Sequence, residues 1–495
     1  MPSRECFASA DIVREIWGHL GLPLSALASL SLPGAQDGPS TPSSFKIGHL
    51  AQSTIALSAL TAALVHSSSG HDNIPTPRTS VPLRHAIAEF RSERLYTFDG
   101  APPVSSWGTV GGLHRTADGG HVRIHDSFPN HRDGALALLG LPLDSDRAAV
   151  AEKLRNNWTA LELETVAVEH HKLAIYALRS YEQWDVLPQA SALPDIPVSV
   201  RRLGNTAPRR LSPARQQHPE GADRCLHGLR VLELSRVIAA PVAGKTLAAH
   251  GADVLWVTSP RLPALPALDV EFSRGKRSVS LDADDPADRE ELLRLVRTCD
   301  VFVQSYRPGS LASRTGLAPE DLAAANPGIV VANLSAFGPE GPWAGRRGFD
   351  SLVQTCSGMN VSEAEHYNTG RTGEQAQEKE VARPMPCQAL DHGAGYLLAA
   401  GINAALYKRE VEGGSYVVDV SLAGVMKYLR SLGQYEGRTG FECEDTELDK
   451  SFFETGMTGF GEMKFLKHSA HVNGCVIGWE VLPKPLGSDR AKWLT

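Results

Sequence analysis

The sequence is poor in the features that most readily disclose a function. Its cysteines number only seven, are scattered and contain no CxxC pair. That argues against a disulfide framework and suits a reducing, cytoplasmic compartment. Basic residues are not in excess: 49 Lys and Arg stand against 56 Asp and Glu, for a net charge of -7. No electrostatic footprint for nucleic acid is present, and an anionic ligand would need a local cationic patch. Long hydrophobic runs are missing too. Leu50–Val65 and Ala394–Tyr407 are apolar but short and rich in Ala, Ser and Gly, so both read as buried helices and no membrane partner is expected. The opening "MPSRECFASADIVREIWGHLG" is amphipathic and carries acids, unlike a signal peptide. There is no GxxxxGK[ST], no GxGxxG after "LRVLEL", no HExxH, no GxSxG and no EF-hand loop, which removes the usual phosphate, dinucleotide and hydrolytic readings. "HSAHVNGC" sets His468, His471 and Cys475 at ligand-like spacing without a fourth partner, so no metal is expected.

What is present is an ordinary globular balance, 42% hydrophobic and 21% charged over 495 residues, enough for two domains or more. The chain resembles itself in part. "FKIGHLAQSTIALSALTAALV" (Phe45–Val65) is similar, with a one-residue slip, to "QALDHGAGYLLAAGINAALYKR" (Gln388–Arg409), which predicts a partial internal duplication. Residues 1–100 form the helical partial copy. Residues 101–200 read as a small α+β domain, with a Gly-rich turn, the alternating strand "HVRIH" and several helices. Residues 201–228, rich in Pro, Arg and Gly, read as a linker. From Leu229 short apolar runs alternate with helices ("LRVLEL", "ADVLWV", "SVSLD", "DVFVQS", "GIVVANLS"). This predicts an α/β fold with a doubly wound parallel sheet over residues 229–440, followed by a tail at 441–495. Ligands of such sheets lie at the carboxyl ends of the strands.

One carboxylate stands out. The strand "GIVVANLS" leads through the loop "AFGPEGPWAGRRG" to Phe349 and Asp350, then to the helix-like "SLVQTCSG". A carboxylate after a strand's carboxyl end faces the crevice, but Asp is also a preferred helix cap. Spacing alone favours capping.

The stretch Leu229–Ser431 resembles the family III CoA-transferases, which include formyl-CoA and carnitine-CoA transferases and α-methylacyl-CoA racemases. The resemblance rests on "GLRVLELSRVIAAPVAGKTLAAHGADVLWV", "RGKRSVSLD", "DVFVQSYRPGSL", "NPGIVVANLSAFGPEGPWAGRRGFDSLVQTCSG" and "GGSYVVDVSL", in that order. It implies a Rossmann-like sheet with a smaller α+β domain, and transfer of CoA from an acyl-CoA to a small carboxylic acid. Coenzyme A enters as a thioester substrate, and no bound cofactor is implied. It further implies that Asp350 is the nucleophile, forming a mixed anhydride and then an aspartyl-CoA thioester. Asp391 in "LDH" would be an accompanying acid. Gly111 and Gly112 in "GTVGGLH" would supply oxyanion donors, with "TGMTGFGEM" (Thr455–Met463) as the other glycine-rich option. Arg236, Lys276, Arg277, Tyr306, Arg307 and Arg314, at successive strand–helix junctions, would hold the CoA nucleotide. Trp343, Phe349, Met359 and the stretch Ser362–Glu380 are expected to wall the substrate pocket, and a homodimer is implied by the family.

The order of parts departs from the family's usual one, because the small domain precedes the sheet and the first copy has no sheet core. Two other functions compete. Racemases carry a histidine immediately before the position of Asp350, and here that residue is Phe349, which disfavours proton exchange. The other is a non-catalytic acyl-CoA-binding protein.

Overall fold

In a computed structural model the described residues are 2–36, 38–69, 75–211, 223–310, 316–372, 379–443 and 448–494. The N-terminal region contributes a long helix, α1 (Ile47–Ser69). By length and composition α1 would cross a membrane, but 94% of its apolar window is buried inside the protein. It is therefore a core helix, longer than the sequence pattern predicts. A small antiparallel sheet follows, built from β1 (Gly112–Arg115), β2 (His121–Ile124) and β3 (Ile175–Ala177), with β2 in the middle.

Strand β4 (Val198–Leu203) then joins the large sheet. The rest of that sheet is β5 (Arg230–Leu234), β6 (Asp253–Thr258), β7 (Lys276–Ser280), β8 (Val301–Gln304), β9 (Val330–Ser335) and β10 (Ser415–Ser421). The spatial order is β7-β6-β5-β8-β9-β10-β4, parallel except for the last pair. Six strands thus follow the doubly wound pattern, with the reversal of winding between β5 and β8, where a ligand crevice opens at the carboxyl ends. The strands are apolar runs such as Val231–Leu234 and Val301–Val303 because helices cover both faces.

Helix α2 (Ala239–Ala249) follows β5, α3 (Asp350–Cys356) and α4 (Met359–Asn368) follow β9, and α5 (Ala389–Glu412) leads into β10. The small residues of α1 and α5 let the two helices pack along one another in a shared core. Asn403 on α5 donates to the Ser58 carbonyl and to Thr61 Oγ1 of α1. Residues 1–100 are therefore not a separate unit. Nor does the boundary drawn at 200 separate two bodies: β4 straddles it, so the first part of the expected linker is a sheet edge. Residues 212–222 of that linker lie outside the described residues. The tail is used twice. A hairpin of β11 (Phe453–Thr458) and β12 (Gly461–Leu466) pairs with Thr97–Phe98, and Gly487 and Asp489 donate backbone hydrogen bonds to Ser278 of β7.

Candidate active site

The strands β5, β8 and β9 end beside one another, and the turns after them line a cleft of about 430 Å3. Arg236, Arg261, Arg307, Arg346 and Arg347 edge it, with Tyr306 and His131 among them. A second cavity, of about 350 Å3, adjoins it. Its walls are mostly apolar: Val237, Ile238, Leu265, Leu268, Phe349 and the segment Pro102–Trp107. Val237, Ile238, Phe349 and Asp391 line both spaces. Val237 holds φ 71, a conformation costly for a β-branched residue, at the turn where the two spaces meet.

Two carboxylates lie at this junction with different partners. Asp350 is 1% exposed and its oxygens are spent. Oδ2 accepts from the backbone N–H groups of Leu390 (2.8 Å) and Asp391 (3.0 Å), and Oδ1 accepts from Gln354 Nε2. Gln354 is held in turn by Asn360 Nδ2 (3.0 Å) and the Met385 N–H (3.0 Å) on its own oxygen. Asp350 thus satisfies the exposed amides at the start of α5, where a helix N-terminus favours negative charge. It does not cap its own helix, α3, whose N-terminal flank is Phe349 with no side-chain cap. Burial pushes Asp350 up to about 6, while the Asp391 and Leu390 amides and Gln354 pull the other way.

Asp391, one turn into α5, is 8% exposed and lines both spaces. Among the described residues none donates a hydrogen bond to its carboxylate. Burial, the Asp350 charge and the Glu93 charge raise its pKa well above the carboxylate range, so the pair titrates as a unit. Glu93, from the N-terminal region, completes the acidic group. It accepts from His392 Nε2 (3.0 Å) and faces Arg94 Nε at 3.4 Å. Arg123 on β2 acts on Asp350 electrostatically. Sequence reasoning passed over Glu93, Arg123 and His125, because they belong to segments distant in the chain.

The hydrogen bonding separates the two acids: Asp350 is held by two α5 amides and Gln354 and lines the apolar cavity, and Asp391 borders both spaces. The glycine loop is corrected. The N–H groups of Val110 and Gly111 both donate to Asp126 Oδ2, at 2.9 and 2.6 Å. A Cβ on Gly111 would sit 2.1 Å from the Asp126 carboxylate, so the glycine admits that side chain rather than a ligand. Neither Gly111 nor Gly112 lines the cavity. "TGMTGFGEM" is the β11–β12 hairpin and lines neither space.

Of the expected nucleotide-binding residues, Arg236, Tyr306 and Arg307 meet at the arginine-lined cleft. Lys276 does not: it is buried under Trp256, 2.8 Å from Glu233 and 2.8 Å from the Pro241 carbonyl. Arg277 pairs with Asp253 (2.7 Å) and donates to the Lys492 carbonyl (2.7 Å). Both cations serve β7, the sheet edge that the tail closes. Arg314 lies outside the described residues. Of the expected pocket wall, Phe349 is in place. Trp343 is packed among Tyr176, Trp184 and Phe337, Met359 is in the core, and Ser362–Asn368 is part of α4. Residues 373–378 lie outside the described residues.

These features define a doubly wound α/β protein with a cationic cleft and an unpartnered carboxylate at the strand ends. Residues 226–443 match the model of CoA-transferase family III. Among relatives, a probable fatty acyl-CoA transferase of Mycobacterium tuberculosis is 34% identical over 213 residues, covering 40% of this chain and 51% of that protein. An acetyl-coenzyme A transferase of Hypoxylon pulicicidum is 27% identical over 342 residues, covering 66% and 55%. A formyl-CoA:oxalate CoA-transferase of Rhodopseudomonas palustris is 33% identical over 221 residues, covering 42% and 48%. The chain spans about half the length of these curated relatives. A crystal structure from M. tuberculosis aligns at 32% identity and a TM-score of 0.37, covering 42% of this chain and 57% of that one.

Proposed function

We propose that this protein is a CoA-transferase in which Asp350 is the nucleophile and Asp391 the accompanying acid. The observation that carries the reading is the position of Asp350: it lines the apolar cavity beside Phe349 and Asp391, which also border the arginine-lined cleft, and two α5 amides and Gln354 Nε2 hold its carboxylate. Guanidinium groups match phosphate oxygens geometrically, so the cleft suits the nucleotide of CoA and the cavity suits an acyl group. The relatives named for CoA transfer support the reaction class.

In the reaction an Asp350 oxygen attacks the thioester carbonyl carbon. The C=O electron pair moves onto oxygen, then returns as the C–S bond breaks and CoA thiolate leaves. The mixed anhydride is attacked by that thiolate at the aspartyl carbonyl, releasing the first acid and leaving an aspartyl-CoA thioester. A second carboxylic acid repeats the two steps in reverse and departs as its CoA ester. A carboxylate suits both exchanges because its anhydride and thioester are similarly activated. The Leu390 and Asp391 amides and Gln354 orient the Asp350 carboxylate at the start of α5.

The test is trapping. The protein is incubated with acetyl-, propionyl- and benzoyl-CoA, quenched with hydroxylamine and digested for mass spectrometry. A hydroxamate on Asp350 is expected. A hydroxamate on Asp391 would transfer the nucleophilic role to it, and α-proton exchange without any adduct would replace the transferase reading with proton transfer.

A further inference from the structure

Two of the cysteines that the sequence scatters meet in the fold. Cys225 lies just before β5, and Cys475 lies in a turn of the tail, where its N–H donates to the Val472 carbonyl (3.1 Å). The two segments are stitched side by side. The Val476 N–H donates to the Asp223 carbonyl (2.8 Å). Arg224 pairs with Glu480 (2.8 Å) and donates to the Gly478 carbonyl (3.0 Å). Between these bonds the Cys225 thiol donates to the Cys475 sulfur, and His66 of α1 supplies a second hydrogen bond to that sulfur. Both cysteines are free thiols. His468, at ligand-like spacing from Cys475 in the sequence, is held instead by Glu89 Oε1 at 2.7 Å. Among the described residues no group of three His, Cys, Asp or Glu side chains is placed to hold a metal ion.

The surroundings divide the two sulfurs into different roles. The Cys225 hydrogen bond, then His66, hold Cys475 well below the usual thiol range, against burial and the Asp223 charge. The same bond, together with burial, holds Cys225 above that range. The thiolate is the nucleophilic form of cysteine. Cys475 is half-buried, whereas Cys225 is 3% exposed. A small reagent therefore reaches the reactive sulfur first, and the sheltered thiol is its immediate neighbour.

We infer that Cys475 and Cys225 form a redox-active pair, in which Cys475 attacks a low-molecular-weight disulfide and Cys225 resolves the product into an internal disulfide. In the first step the Cys475 thiolate bonds to one sulfur of the small disulfide. The S–S bond of that molecule breaks and its other half leaves as a thiolate. In the second step Cys225 gives its proton to the departed thiolate, and its sulfur displaces the remaining small thiolate from Cys475. The two cysteines lose two electrons, and the small disulfide gains them and ends as one thiol and one thiolate. The new bond would tie the approach to β5 to the tail that closes β7. Neither cysteine lines the cleft or the apolar cavity, and the pair is independent of the reading of Asp350.

The test incubates the reduced full chain with oxidised glutathione and maps its cysteines by mass spectrometry without reduction. A linked Cys225–Cys475 peptide is expected, and dithiothreitol is expected to reverse it. Cys225→Ser should stop the reaction with glutathione on Cys475, and Cys475→Ser should leave Cys225 unmodified. A parent without the linked peptide overturns the inference, as does glutathione on Cys225 in Cys475→Ser. A second measurement needs no substitution. At about pH 6 the parent's Cys475 is expected to react with iodoacetamide at least about tenfold faster than the exposed Cys6. Alkylation of Cys475 no faster than that of Cys6 overturns the inference.

Discussion

The two long helices α1 and α5 have similar sequences, pack against one another and begin in similar ways, yet only α5 begins at the candidate site. Each start is held by a carboxylate from elsewhere. Asp350 accepts two amides at the start of α5. Glu363 accepts the Ser44 amide (3.0 Å), Ser43 Oγ (2.6 Å) and Ser44 Oγ just before α1. With His49 and His392 in register, α1 has Gly48 where α5 has Asp391. A Cβ on Gly48 would lie 2.5 Å from Ser40 Oγ and 3.1 Å from Ile87 Cδ1, so that position is closed by packing. Both helix starts are held by a carboxylate, but of the two only Asp350 lines the apolar cavity, and that difference separates a structural acid from a reactive one.

The comparison breaks most sharply at the aspartates. Asp350→Ala is expected to lose turnover by at least about 10³-fold and to cost about 2–4 kcal/mol in denaturant unfolding, because the Leu390 and Asp391 amides lose their acceptor. Asp391→Asn keeps those amides paired, and its folded protein is expected still to form an adduct on Asp350. Loss of that adduct in Asp391→Asn as well would merge the two roles.

A smaller effect is expected from pH. Both acids have pKa values raised on folding. Their protonated forms therefore favour the folded state, and this contribution is fully present below the ordinary aspartate range. It is lost as pH rises through about 6 for Asp350 and higher still for Asp391. Stability attributable to the pair falls with rising pH over that window, while the rate of adduct formation climbs as Asp350 ionises through about 6. Asp391→Asn should flatten the stability profile above pH 6; an unchanged slope would remove Asp391 from the titrating pair. The smallest effect concerns α1: Gly48→Ala should cost about 1–3 kcal/mol through overpacking, with adduct formation intact in the folded protein. A silent Gly48→Ala would mean that the position is open after all.

Much of the fold was legible. The apolar runs at Val231–Leu234, Val254–Val257, Val301–Val303 and Val330–Leu334 are strands of a parallel sheet buried on both faces, and such strands announce themselves by continuous hydrophobicity. The sequence also pointed to Asp350, Asp391, Arg236, Tyr306 and Arg307, because these follow strands or open a helix. It misread Lys276 and Arg277. A cation at a strand's end looks the same whether it meets a phosphate or, as with Lys276 at the start of β7, a buried glutamate two strands away.

By itself, then, the sequence determined the alternation of strands and helices, the duplicated pair of small-residue helices and the short list of acids near the crevice, since these depend on local periodicity and residue type. Only the tertiary structure decided which acid is free. That choice depends on where the α5 amides point, on Asp126 occupying the glycine loop, and on His125 and Glu93 arriving from segments far away in the chain. Hydrogen-bond acceptors are saturated by neighbours in space, and spacing along the chain does not record who those neighbours are.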